Sequence, residues 1–189
     1  MQNSLLKYLK SESKKSLDKR IFDIVIYGSY VKSKKEPNDI DIVIVFFNES
    51  LNERLSFAQE FKNKLKEKIK NLDIKAINLP ELFDKNFLAR AGITSEGYSL
   101  LTDSPFSLKM GFKGYSLFSY SLKKLNHNEK TKFTYSLIGR TSKGILKELN
   151  ALILGKGAVA IPIEHSLYFE DFLKNWKIDY KFKQALIEI

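Results

Sequence analysis

The sequence predicts an α/β fold of the α+β kind, in which a small mixed sheet flanked by helices precedes a C-terminal α+β accessory region. Two apolar, β-branched runs, 21–27 and 40–47, are typical of strands buried on both faces. Helical patterns alternate with strand patterns through the first half of the chain. Near Thr102–Pro105 the composition changes, and aromatic residues and lysines become more frequent. We therefore predict a first domain over 1–105 and a second over 106–189.

The elements of the first domain follow from local patterns. Leucines at roughly helical spacing predict a helix over 4–19, and the strand over 21–27 ends at Gly28 and Ser29. After the second strand, a capping-box sequence at Ser50 opens a helix that reaches about Lys70. Its predicted buried stripe comprises Leu51, Leu55, Ala58, Phe61, Leu65 and Ile69. The remaining predicted elements are a strand over 72–77, a helix from Pro80 to about Ala91, and an extended segment over 97–101.

The second domain has weaker signals. Helices are predicted near 128–138, 143–153 and 165–176, with a strand over 157–161 and another near 178–183.

Composition limits the function classes. The 189 residues contain no cysteine, which excludes disulfides and thiolate metal sites and fits the cytoplasm. No apolar run approaches the roughly 20 residues that span a bilayer, so no membrane partner is expected. The net charge is +10, and an acidic centre over 36–104 lies between two basic arms. This layout suits an anionic substrate, although a solvated lysine surface would also produce it.

A glycine–serine turn follows the first predicted strand. Gly28 has no Cβ, so a ligand can approach its backbone closely, and Ser29 stands at the first turn of a possible short helix. Lys32, Lys34 and Lys35 follow and could supply positive charge to phosphates. Taken alone, Gly28 and Ser29 are also ordinary turn residues.

Two aspartates stand at the entrance of the second strand. The period of two places Asp39 and Asp41 on one face, where adjacent carboxylates repel each other unless a divalent cation lies between them. Carboxylate oxygens are the ligands that Mg²⁺ and Mn²⁺ prefer. Asp73 in the third predicted strand is the best third acid and a possible base toward a hydroxyl, with Lys75 on the same face. Each aspartate alone could instead be structural.

Gly28-Ser29 followed by Asp39-Ile40-Asp41 resembles the Gly-Ser…Asp-x-Asp signature of the polymerase-β-type nucleotidyltransferase superfamily. The compact length and the later Leu72-Asp73-Ile74 are similar to its minimal nucleotidyltransferase branch. The resemblance covers residues 20–101 and implies the nucleotidyltransferase fold. The sequence departs from the family pattern at Lys32, where the family commonly has arginine, and at Ser33, where it commonly has glycine.

The resemblance implies a magnesium-dependent enzyme that moves a nucleoside monophosphate from a triphosphate, with ATP expected, to a hydroxyl acceptor. Asp39, Asp41 and Asp73 would hold the metal ions, and Gly28, Ser29 and Lys32 the triphosphate. The basic 105–189 region could hold the acceptor, an RNA end or a protein. Two alternatives remain at this point: a non-catalytic nucleic-acid or partner-binding module, and an antitoxin-like subunit.

Overall fold

The structure is a computed structural model that describes residues 2–32 and 39–189, with side chains at all these positions except 2, 3 and 32. It divides into two compact units, Met1–Met110 and Gly111–Ile189. Each unit has its own sheet and its own hydrophobic core. The assignment of separate functional roles to the two parts of the chain stays a prediction.

The first unit is a mixed sheet with helices. Its helices are α1 (Gln2–Lys15), α2 (Ser29–Lys32), α3 (Leu51–Lys66), α4 (Leu79–Leu82) and α5 (Arg90–Glu96). Its strands are β1 (Ile21–Tyr27), β2 (Ile40–Phe46), β3 (Leu72–Asn78), β4 (Tyr98–Ser99) and β5 (Ser104–Pro105). Within the described residues the strand order is β3-β2-β1-β4-β5, with only β2 and β3 parallel. The predicted mixed α/β architecture is confirmed.

Both faces of the two central strands are buried, which explains their continuous apolar sequences. Alternate residues such as Ile24 and Ile42 pack against Leu9 of α1 and against Phe61 and Leu65 of α3. The residues between them face a second cluster, which comprises Val25, Tyr27, Val43, Val45, Leu82, Ile93 and Phe106. The two central strands are therefore packed against apolar side chains on both faces.

The buried stripe of α3 differs from the prediction. Leu51 and Leu55 are 58% and 53% exposed, and Arg54 is buried instead. Arg54 Nη1 lies 2.5 Å from Glu81 Oε2, which also accepts a hydrogen bond from the Asn78 backbone N–H at 2.9 Å. The spacing of apolar residues along the sequence does not locate the buried face of α3, because an arginine that is paired with a carboxylate occupies one of its core positions.

The helix predicted from Pro80 to Ala91 was wrong in extent. Only α4 forms at its start, and α5 begins at Arg90. A turn separates them, in which Asn86 donates its backbone N–H to Asp84 Oδ1 at 2.8 Å. Side chains of this kind compete with helical hydrogen bonds and end helices early.

The second unit is an antiparallel sheet covered by helices. Its helices are α6 (His127–Ile138), α7 (Ile145–Glu148) and α8 (Ser166–Asn175). Its strands are β6 (Phe112–Ser121), β7 (Leu152–Gly155), β8 (Ala158–Pro162) and β9 (Asp179–Glu188), in the order β7-β8-β6-β9 within the described residues. Its core centres on aromatic residues, among them Phe118, Phe133 and Phe169. This unit matches the predicted C-terminal α+β region.

Two strands of the second unit were not predicted. No strand was expected over β6, and the helix predicted over 143–153 is α7 followed by β7. Asn150 has a left-handed backbone with φ of 52°, which ends the helix and turns the chain into the strand. Among the described residues, no helix has the length and apolar character needed to cross a membrane.

Candidate active site

The turn after β1 brings the backbone against a carboxylate. Gly28 has φ of 76°, a left-handed conformation that favours glycine, and Ser29 begins α2 with its side chain exposed. The Val31 N–H donates to the Gly28 carbonyl at 3.3 Å, which closes the turn. A Cβ on Gly28 would lie 2.6 Å from Asp41 Oδ2. The absent side chain therefore leaves space directly beside this carboxylate.

A row of polar side chains crosses three strands at this end of the sheet. The antiparallel β1–β2 register pairs Tyr27 with Asp41, and the parallel β2–β3 register pairs Asp41 with Asp73. Residues in register point to the same face, so these three lie side by side. Asp39 precedes β2 by one residue and is exposed, Asp41 is half-buried, and Asp73 is exposed.

Lys75 brings a positive charge to the same face. Its Nζ donates to the Tyr27 hydroxyl at 3.2 Å and lies 3.7 Å from Asp73 Oδ2. The sequence predicted that Lys75 shares a face with Asp73. It did not single out Tyr27, although the position of this tyrosine, at the strand end just before Gly28, was a usable signal.

The electrostatics of the row reflect this crowding. Burial raises the pKa of Asp41, and the neighbouring charges of Asp73 and Asp39 raise it further, while Lys75 opposes them. Burial also raises the pKa of Tyr27. The hydrogen bond to Tyr27 raises the pKa of Lys75. The site thus has an excess of negative charge that a cation would relieve.

The chemistry of the donors fits a divalent cation. Asp41 and Asp73 offer adjacent carboxylates on one face, and Asp39 is near enough to raise the pKa of Asp41. Among the described residues, however, no group of three or more acidic, histidine or cysteine side chains is gathered in an arrangement ready to hold a metal ion. The three-aspartate ligand set stays a prediction.

The predicted phosphate contacts are described only in part. Gly28 and Ser29 form the turn beside Asp41, which belongs with Asp39 and Asp73 to the set of carboxylates that we call the acid row. Lys32 is the last residue of α2, but its side chain lies outside the described residues, as do Lys34 and Lys35 entirely. The phosphate-binding roles of these residues stay predictions.

The mixed sheet, the glycine–serine turn and the adjacent carboxylates are the features expected of a nucleotidyltransferase domain. Residues 7–94 match the family model described as "Polymerase beta, Nucleotidyltransferase". This match, over slightly less than half of the chain, confirms the family resemblance predicted from Gly28-Ser29 and Asp39-x-Asp41.

Solved structures that resemble the chain do so at low identity. The tri-AMPylated Shewanella oneidensis HEPN toxin in complex with MNT antitoxin matches at 19% identity over 53% of this chain and 71% of that chain, with a TM-score of 0.35. A toxin–antitoxin with AMP-PNP matches at 18% identity over 55% of this chain and 82% of that chain, with a TM-score of 0.37. A mutant of the MntA–HpeT toxin–antitoxin matches at 19% identity over 58% of this chain and 82% of that chain, with a TM-score of 0.34. No curated protein matches the chain.

Proposed function

We propose that the chain is a magnesium- or manganese-dependent nucleotidyltransferase that moves a nucleoside monophosphate from a triphosphate, with ATP expected, to a hydroxyl acceptor and releases pyrophosphate. The observation that carries this proposal is the surroundings of Asp41. It lies in register with Asp73 across the parallel β2–β3 pair, and its Oδ2 lies 2.6 Å from where a Gly28 side chain would begin. A phosphate-binding turn and a cation-binding pair of acids would therefore share one place.

The chemical roles follow from this arrangement. Asp39, Asp41 and Asp73 would hold the divalent cations, which when bound neutralise phosphate charge and lower the pKa of the acceptor hydroxyl. Gly28 and Ser29 position the leaving phosphates, and Lys32 adds positive charge. Asp73 accepts the hydroxyl proton. The bond from the acceptor oxygen to the α-phosphorus forms as the bond to the bridging oxygen breaks, and pyrophosphate leaves with that electron pair.

The charge of the second half of the chain supports an anionic acceptor. Residues 105–189 contain fourteen basic and seven acidic residues. A basic surface of this kind suits an RNA end as the acceptor. The proposal also includes a protein as the acceptor.

The experiment uses ATP labelled at either the α- or the γ-phosphorus. The full chain is incubated with Mn²⁺ or Mg²⁺ and with total RNA or total protein as the acceptor. We expect the α-label, but not the γ-label, to enter the acceptor. Asp41→Asn should reduce this incorporation by roughly a hundredfold, the scale of removing one electrostatic stabiliser.

A matched control is Glu60→Gln, an exposed carboxylate change on α3, which should retain incorporation. Incorporation of the γ-label would contradict nucleotidyl transfer. Full activity of Asp41→Asn would contradict the site assignment. RNA retention without any transfer would support the binding-module alternative, and transfer confined to one partner protein would support the antitoxin-like alternative.

A further inference from the structure

The second unit contains a cleft of about 800 Å³. Its walls are α6, the end of β6 with the residues that follow it, and the turn between β7 and β8. Among the described residues, its lining includes none that belong to the candidate active site. The cleft therefore belongs to a different part of the chain from the acid row.

One face of α6 forms a wall of the cleft. The lining residues of this helix are Lys130, Phe133, Thr134, Leu137 and Ile138, which follow helical spacing. Opposite them stand Ile153 and Val159 from the two neighbouring strands. The interior of the cleft is therefore mainly aliphatic.

The cleft leaves apolar surface in contact with water. Ile138 is 54% exposed and Ile153 is 63% exposed. Leaving apolar area uncovered forgoes about 25 cal/mol for every Å². Large aliphatic side chains at a concave site are typical of a place that a ligand covers.

Positive charges line the same cleft. Lys123, Lys130 and Lys156 are all lining residues and are exposed. Among the described residues, none of these three lysines forms an ion pair, whereas the neighbouring Lys124 lies 2.7 Å from Asp179. The half-buried Tyr120 also lines the cleft. Within the part of the chain that the structure describes, the cleft thus has lysine ammonium groups that form no ion pair.

We propose that this cleft binds a small amphiphilic anion, with an alkyl body against the aliphatic wall and one carboxylate, sulfonate or phosphate group at the lysines. The volume lies within the range of roughly 300–1,000 Å³ that is usual for small-molecule sites. The lysine ammonium groups bind such a head group as point charges, and the tyrosine hydroxyl can donate a hydrogen bond to it.

The binding experiment uses 8-anilinonaphthalene-1-sulfonate, an aromatic anion that fluoresces in apolar sites, as the probe of the full chain. Decanoate and decyltrimethylammonium, which have the same alkyl length and opposite charge, compete with it below micelle-forming concentrations. We expect one probe molecule per chain and displacement by decanoate at a concentration roughly tenfold lower than by the cation, about the effect of one charge-assisted contact. Equal displacement by both competitors would overturn the proposal.

Two tryptophan variants test the location. Thr134 and Ser136 are exposed on α6, and each hydroxyl donates to the carbonyl four residues earlier, at 2.8 Å and 3.1 Å. Only Thr134 lines the cleft. Thr134→Trp should fill the cleft and abolish probe binding, and Ser136→Trp should leave it intact. Binding by Thr134→Trp at native affinity, or equal loss in both variants, would refute this site.

Two methionine variants test the charge. Lys130→Met should weaken decanoate by roughly fivefold to tenfold and should not weaken the cationic competitor, because it removes a charge that attracts the anion and repels the cation. Lys124→Met removes a lysine that is paired elsewhere and should change neither competitor. Unchanged decanoate affinity in Lys130→Met would overturn the assignment of the head group to the lysines.

Discussion

At the scale of single residues, Gly28 has two constraints that only glycine meets together. Its φ is 76°, and a Cβ would lie 2.6 Å from Asp41 Oδ2. Gly28→Ala should therefore destabilise the fold by about 1–2 kcal/mol from backbone strain alone and displace the carboxylate beside it. We expect a loss of α-label incorporation larger than this loss of stability explains, measured by labelled transfer and by urea unfolding.

The matched control is Gly92→Ala in α5. Its φ is not left-handed, and an added Cβ there meets nothing within 4 Å. Alanine in a helix should stabilise the protein by about 0.5–1 kcal/mol and leave activity unchanged. The two substitutions should change the stability of the protein in opposite directions. This difference separates the conformational requirement at Gly28 from a general effect of adding a methyl group. Equal activity in both variants would contradict it.

Lys75 offers a second test at this scale. Its ammonium group lies 3.7 Å from Asp73 Oδ2 and competes with any divalent cation for the acid row. Lys75→Met should raise the affinity for Mn²⁺ by roughly fivefold, the effect of about 1 kcal/mol from one nearby charge in water. Titration of Mn²⁺ without nucleotide measures this directly.

Lys64→Met, an exposed lysine change on α3, is the control and should leave Mn²⁺ affinity unchanged. Weaker Mn²⁺ binding in Lys75→Met would show that the lysine orders the acids rather than competing for them. The prediction would then be wrong.

The sequence was most informative about residues joined by short-range rules. A period of two predicts Asp39 and Asp41 on one face, and Asp39 is near enough to Asp41 to raise its pKa. The left-handed turn after β1 is at the predicted glycine. The parallel pairing that sets Asp41 beside Asp73 depends on the register between strands 32 residues apart. Spacing in the chain suggests such a contact but cannot fix it, because register is set by the whole sheet.

At the scale of elements, the central strands were predicted well because both of their faces are buried and their sequences are continuously apolar. The strand β6 mixes aromatic residues with serines, lysine and glycine in no regular order, so neither a period of two nor an apolar run stands out. The edge strand β7 has only four residues and is exposed throughout. Its pairing with β8 makes it a strand, and that pairing is a tertiary interaction.

The side-chain contacts of Glu170, which join α8 to β9, predict a dependence of stability on pH. Glu170 accepts hydrogen bonds from the Lys174 ammonium at 2.7 Å and from the Tyr180 hydroxyl at 2.6 Å, which together lower its pKa below the ordinary 4.5. A lowered folded pKa contributes stability that is complete above the unfolded pKa and is lost as the pH falls through the folded value. Glu170→Gln should lower the free energy of unfolding by at most about 1 kcal/mol near neutral pH.

This difference should shrink steadily as the pH falls below 4.5 and should vanish once the pH is well below the lowered pKa of Glu170 in the folded protein. Urea unfolding of both proteins across this range measures it. Glu164→Gln, an exposed carboxylate change just before α8, should show no such dependence. A difference for Glu170→Gln that stays constant with pH would assign the effect to packing rather than charge.

At the scale of the whole molecule, the chain contains separate hydrophobic cores in its two units. In the first unit, apolar side chains fill both faces of the mixed sheet. In the second, Phe133 and Phe169 pack with Phe118 and the surrounding aliphatic residues. A unit with its own core has its own local stability, so ligand effects can be assigned to one unit or the other.

Hydrogen exchange with and without ATP and Mg²⁺ tests where the nucleotide acts. A ligand present at about a hundredfold excess over its dissociation constant stabilises the state that binds it by about 2.7 kcal/mol. We expect slower exchange in β1, β2 and β3, whose ends form the acid row, and unchanged exchange in β6 and β8 of the second unit. Asp41→Asn should remove the protection because its carboxylate is central to the row, while Glu60→Gln should keep it. Protection confined to Gly111–Ile189 would instead place nucleotide binding away from the acids, since the amides of the mixed sheet would then be unaffected by the ligand.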